Sequence, residues 1–316
     1  MSRQTTRLSA RQETVLRAVR EWNEGSGRRL EVGALEERRV LRACLLLQGG
    51  DRYQLIIVQE PGGGFAVAHC ARIDEVTEAK ALSRDGTRFA FFTRPLDALC
   101  KFLVVRTLAD GTELRFDAVT DDTFDLLAAF APNGAHLAVL SDGPEGEQVT
   151  VSILDLPGGE RRRLWTGQGG ATPVGMLSWS PDGRFIAAGF ENDDEDPVTV
   201  ILEVEGGGEV ARYELMESLS ASQGAWLGDH EHLVVPLIFE GERPPLLAID
   251  VESGVRRRVN DDVSAPGGVH GVVGGQILGP LPPNGIGITA LDGSGQQLLL
   301  THPPLPTLHV VDVADV

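Results

Sequence analysis

The sequence predicts an all-β chain: a six-bladed β-propeller of four-stranded antiparallel blades with a short N-terminal helix. Three observations carry that expectation. A turn-and-strand marker recurs four times, a second marker of the form strand, glycine turn, strand runs in phase with it, and the two share a period close to 48 residues. A period in the forties with two hairpins per repeat is the mark of propeller blades. One such sheet cannot cover both of its faces, so successive sheets stack around an axis and cover each other.

The first marker reads LSRDGTRFAFF from Leu82, FAPNGAHLAVL from Phe130, WSPDGRFIAAG from Trp179 and WLGDHEHLVVP from Trp226. Its turn positions, Gly86, Gly134, Gly183 and His230, fall 48, 49 and 47 residues apart. The second reads VVRTLADGTELRF from Val104, VSILDLPGGERRRL from Val151, VILEVEGGGEVARY from Val200, LLAIDVESGVRRRV from Leu246 and GITALDGSGQQLLL from Gly287. Its turn glycines Gly111, Gly159, Gly207 and Gly254 are 48, 48 and 47 apart. Asp-Gly and related pairs supply the positive φ of tight hairpin turns, and the flanking apolar runs have strand length.

The segments LSRDGTRFAF and WSPDGRFIAA resemble the S-P-D-G-x-x-I-A-F repeat of TolB-like and WD40-like propellers, over about residues 78–263. The resemblance implies the propeller fold. Its members include protein-binding scaffolds and the propeller halves of peptidases, so it implies no single activity. No GxSxG elbow is present, so the hydrolase half of such peptidases has no counterpart here.

The blades divide as 37–77, 78–121, 122–169, 170–219, 220–263 and 264–303, with a closing strand at 306–316. The first blade is degenerate: RVLRACLLL, RYQLIIVQE and GFAVAHC supply its strands, and the closing strand LHVVDVADV is expected to pair with it and shut the ring. The sixth holds VHGVV, QILGPL, GIGITAL and QQLLLTH. A competing register aligns LDGSGQQLLLTH with the first marker, but it stretches one interval to 65 residues. Residues 1–36 stand apart as a helical extension: Ser9-Ala10-Arg11-Gln12 has the form of a capping box, and Val15, Leu16, Val19 and Trp22 share one helical face.

Composition narrows the classes of function. The chain has 316 residues, 42% hydrophobic, and only 5% aromatic, so its core is expected to rest on Val, Leu, Ile and Ala. A formal net charge of −18 repels nucleic acid and anionic membranes, so neither is expected as a partner. Cys44, Cys70 and Cys100 are odd in number and widely spaced, and form no CxxC pair. There is no run of 18 apolar residues and no secretory h-region near the start, and the expected location is cytoplasmic.

Few residues carry a chemical signal. Asp85 and Asp182 repeat with the blade, which points to turn geometry. Glu191 to Asp196 is the densest acidic run, and Asp193, Asp194 and Asp196 are candidate calcium ligands, though the run lacks the glycine and distal glutamate of an EF-hand; no other cofactor is expected. His230 and His232 flank Glu231 on a strand-entering turn, and His270 lies in an expected innermost strand; these three are the candidate catalytic or metal-binding histidines if they meet at the axis. Arg161–Arg163 and Arg256–Arg258 occupy equivalent outermost strands, where charge blocks edge-to-edge pairing. Two functions follow. One is a non-catalytic scaffold that binds a protein partner through loops or a face; the other is an enzyme or small-ligand binder with its site at the axial channel. Fold alone does not choose between them.

Overall fold

The computed structural model describes residues 41–49, 53–59, 65–72, 76–85, 87–93, 102–107, 110–118, 124–143, 148–168, 177–192, 194, 196–218, 225–236, 245–260, 271–273, 276–281, 285–291, 295, 297–301 and 308–315. The expected N-terminal helix lies outside them, as do Cys100, Asp193 and His270.

The chain opens with β1 (Leu41–Gly49), β2 (Tyr53–Gln59) and β3 (Phe65–Arg72), paired antiparallel in that order. A second sheet runs β4 (Val76–Leu82), β5 (Arg88–Thr93), β6 (Phe102–Thr107) and β7 (Glu113–Asp117). The third is β8 (Phe124–Phe130), β9 (His136–Asp142), β10 (Gln148–Asp155) and β11 (Arg161–Gln168), and the fourth is β12 (Leu177–Trp179), β13 (Phe185–Glu191), β14 (Pro197–Glu203) and β15 (Glu209–Glu214). In the fifth, two short strands, β16 (Met216–Ser218) and β17 (Trp226–Leu227), lie along β18 (Glu231–Pro236), followed by β19 (Leu246–Asp250) and β20 (Arg256–Asn260). The sixth is β21 (Gly271–Val273), β22 (Gln276–Leu281), β23 (Gly285–Ala290) and β24 (Gln297–Thr301). The last strand, β25 (Leu308–Asp315), returns to pair antiparallel with β1, from Leu47↔Leu308 to Leu41↔Asp315. Among the described residues the strands therefore form six sheets, and the first is completed by the end of the chain. The strands β21, β22, β23 and β24 pair in sequence order.

The first strands of neighbouring sheets approach one another, β25 with β4, β4 with β8, β8 with β12, and β21 with β25, which sets the sheets around an axis. Among the described residues, the seams between the second and third and between the third and fourth sheets are apolar. Leu140, Val151, Ile153, Trp179, Ile186 and Phe190 fill the seam between the third and fourth sheets. Phe92, Leu103, Phe130, Leu137 and Val139 fill that between the second and third. Fully burying one such side chain contributes about 1.5–3 kcal/mol. Val, Leu, Ile and Ala supply most of this core, as composition implies, but Phe89, Phe92, Phe130 and Phe190 are its largest fully buried side chains. The few aromatics are concentrated where two sheets meet.

Two buried polar contacts tie seams in phase with the repeat. Trp179 donates its Nε1 hydrogen to the Ala129 carbonyl at 3.0 Å, and Trp226, 47 residues on, donates to Ser178 Oγ at 3.1 Å. Asp125, fully buried, accepts from Ser141 Oγ at 2.6 Å and from both terminal nitrogens of Arg161 at 2.8 and 2.6 Å. Part of the arginine run on β11 thus serves to neutralise an interior carboxylate.

The glycine turns hold the geometry the repeat requires. Gly111, Gly159, Gly207 and Gly254 have φ of 76°, 71°, 69° and 72°. The fifth sheet departs in two ways. Its first turn is one residue shorter than that of the fourth, and the positive φ falls on Gly228 at 74°, two residues before His230, which the period marks as the turn position. Met216–Ser218, which the repeat assigns to the fourth unit, pairs with β18. The chain makes that passage through Leu215, whose φ of 56° is one that branched side chains adopt only under strain.

Two outcomes are expected in chemical denaturation. A Cβ on Gly207 would meet the Leu164 carbonyl oxygen of the neighbouring sheet at 2.9 Å, whereas one on Gly254 would meet nothing within 4 Å. Gly254→Ala should cost about 1 kcal/mol for the left-handed backbone, and Gly207→Ala distinctly more because a backbone atom must also move. Arg161→Met should cost about 3–5 kcal/mol by stranding the Asp125 carboxylate, and adding Asp125→Leu should recover most of that loss. Equal losses from both glycine variants, or no recovery in the double variant, would contradict these two accounts.

Candidate functional site

In an antiparallel four-stranded sheet the first and third turns emerge at the same end. Backbone bonds show that end as one surface. Leu156 N donates to Ala135 O, Val204 N to Arg184 O and Val251 N to His230 O, so in three sheets the start of the outer turn is tied to the end of the inner one. The inner turns, at 83–85, 131–135, 180–184 and 228–230 among the described residues, lie at this end, and the outer turns flank them.

The turn carboxylates are spent on their own loops. Asp182 accepts from Ser180 Oγ at 2.6 Å and from Arg184 N at 3.0 Å, while Ser180 Oγ accepts from Phe185 N at 2.9 Å. Asp85 does the same for Ser83 Oγ, Thr87 N and Thr87 Oγ1. Burial pushes the Asp85 carboxyl up, but the hydrogen bonds from Ser83 and Thr87 outweigh it and hold the group below the usual carboxylate range. In the third sheet Asn133 takes this place and accepts from Ala135 N at 2.9 Å. Charge is therefore dispensable at this position and an acceptor oxygen is not, as the repetition of Asp85 and Asp182 implies.

The arginines beside these turns reach across sheets. Arg84 of the second sheet spans the third and donates from Nη1 to the Pro181 carbonyl of the fourth at 3.1 Å. Arg88 donates to the Gly134 carbonyl at 2.6 Å and lies over the Phe130 ring. Arg184 lies 4.9 Å from the centre of the Phe185 ring and pairs with Glu252 of the fifth sheet at 3.2 Å. Glu252 is also 3.9 Å from His230. The result is a rim of guanidinium and carboxylate groups whose positions are fixed by carbonyls and partners on adjacent sheets. Arg84 stands where the fourth sheet has Pro181, so its signal was a departure from the repeat consensus, visible in the sequence but without a direction.

The candidate residues are dispersed. His230 is half-exposed on its turn, edge-on to the Phe185 ring at 6.4 Å. His232, two residues on, is fully buried against Trp226 and Tyr213, and burial pushes its imidazole down to about 3, so it stays neutral. Asp194 and Asp196 lie between β13 and β14 of the fourth sheet, at the end opposite its 180–184 turn, and both backbone N–H groups donate to Asn192 Oδ1. Among the described residues no group of three or more His, Cys, Asp and Glu side chains is placed to hold a metal ion.

No family model and no curated protein matches the chain. Solved structures do. TolB from Acinetobacter baumannii is 13% identical with a TM-score of 0.53, covering 96% of this chain and 72% of that one. A chain of Agrobacterium tumefaciens described as a TolB is 14% identical with a TM-score of 0.52, covering 80% and 91%. Hydrazine synthase from Kuenenia stuttgartiensis is 15% identical with a TM-score of 0.51, covering 84% and 80%. At these identities what is shared is the fold, a β-propeller.

The turn geometry makes a specific demand on Asp182. Asp182→Ala removes the acceptor for two donors and should lower stability by about 1 kcal/mol, whereas Asp182→Asn keeps an acceptor oxygen and should lose less than half of that. Equal losses in urea denaturation would mean that the charge, not the acceptor, matters.

Proposed function

We propose that the chain is a non-catalytic scaffold that binds a protein partner through the turn face at this end of the sheets. The observation that carries the reading is the Arg84 side chain, anchored two sheets away on Pro181. Together with Arg88 on Gly134 and Arg184 on Glu252, it gives one rigid surface contributed by four sheets. A surface whose side chains are already held in place loses little freedom on association, which favours recognition of a second macromolecule. Arginine is also the charged side chain most suited to such contacts, through its planar fork and its stacking on rings.

The test is capture by the immobilised chain followed by cross-linking. Arg84→Glu together with Arg184→Glu should abolish capture of a protein that the wild type retains. Arg115→Glu, on the outermost strand of the second sheet, should leave capture intact. Equal capture by both variants would overturn the assignment to this face, and a wild-type chain that retains no protein would overturn the scaffold reading itself.

A further inference from the structure

The seam between the fourth and fifth sheets is unlike the others described. It holds Phe185, Ile201, Tyr213, Trp226 and Ile249, and within this apolar packing it holds a histidine. The His232 side chain is fully buried. Across the seam it faces the Tyr213 ring of β15, nearly parallel at 6.2 Å; on its own sheet it faces Trp226 of β17 at 4.9 Å and pairs in register with Ile249 of β19. None of these three carries a charge at neutral pH, since burial pushes the Tyr213 phenol up to about 12. Among the described residues, charged groups beside the seam have partners of their own: Glu231, the preceding residue, is bound by Nε and Nη2 of Arg257, and Asp250 accepts from Ser253; Arg256 and Asp250 act on Tyr213. At the solvent end of the seam stand His230, Glu252 and Arg184.

The joint is also irregular in its backbone. The innermost strand of the fifth sheet is split between β16 and β17, and the chain enters it through the strained Leu215. The seam between the third and fourth sheets is closed by Trp179 as this one is by Trp226, but among the described buried residues the histidine is found here alone.

We propose that the seam between the fourth and fifth sheets is the acid-labile joint of the ring, opening when His232 takes up a proton. With the seam closed the imidazole binds a proton only near pH 3; once exposed it does so near 6.5. The open form therefore binds more protons throughout that interval, and acid favours opening. Stability of the joint is complete above pH 6.5 and is lost as pH falls below it.

Hydrogen exchange read by mass spectrometry tests this. Between pH 7.5 and pH 5.0, after correction for intrinsic exchange, protection of peptides 226–236 and 246–250 should fall roughly thirty-fold. Peptide 149–156, in the neighbouring seam, should keep its protection. His232→Phe should remove the pH dependence; His232→Gln, should the first variant not fold, should remove it as well. His230→Gln should leave it in place. Loss of protection in peptide 149–156 to the same degree would overturn the proposal. So would persistence of the dependence in a folded His232 variant, or its disappearance in His230→Gln.

Discussion

The structure depends on one constraint: each sheet must cover a face of the next. A four-stranded antiparallel sheet with apolar residues on both faces has no stable existence alone, and every seam described is packed with Val, Leu, Ile, Phe and Ala from two sheets at once. A ring built this way has no free face, but it does have a joint where the two ends of the chain must meet. Here the joint lies inside a sheet. β25 pairs with β1 along its length, so closing the ring makes backbone hydrogen bonds as well as side-chain contacts. That placement ties the chain ends together and makes the first sheet as complete as the rest.

The same constraint decides where polar groups go. A seam has no water, so a polar atom inside it needs a partner within the protein. The indole hydrogens of Trp179 and Trp226 find theirs across the seam, on Ala129 and Ser178, while the Asp125 carboxylate is met within its own sheet by Ser141 and Arg161. At the turn face, where water is at hand, the demand relaxes. There the acidic residues satisfy the loops they begin, and Arg88 and Arg84 are left to reach carbonyls one and two sheets away. What remains exposed is a surface shaped by turn chemistry and held still by contacts between sheets.

Much of the fold could be read from the sequence because blade repeats write the same physical requirement many times. Gly111, Gly159, Gly207 and Gly254 all have the positive φ that their spacing implies. In the sixth sheet the four strands pair in the order in which they follow along the chain. The site was far less legible. A pairwise contact such as Arg84 with Pro181 joins residues 97 apart, and no local pattern encodes it. His230 and His232 share a dipeptide spacing that suggests one face, yet one residue ends a turn and the other begins a buried strand, so they meet different surroundings. The sequence also could not show that Arg161, within a run that reads as edge protection, completes a buried ion pair.

The fifth sheet shows where repetition gives way. Its first turn is a residue short, and this shift places His232 opposite Trp226, where the fourth sheet sets Ile186 opposite Trp179. A histidine at an isoleucine position loses its hydration without gaining an opposite charge from the rings around it, so it is held neutral. The departure carries a local cost that a purely apolar seam would avoid, and the strained Leu215 and the split inner strand fall in the same sheet junction. Three departures from the repeat thus meet at the junction of the fourth and fifth sheets. Because the ring is closed by pairing at β1 and β25, a gap at this joint would leave every sheet still attached to its neighbour on the other side. The molecule can then open there without coming apart.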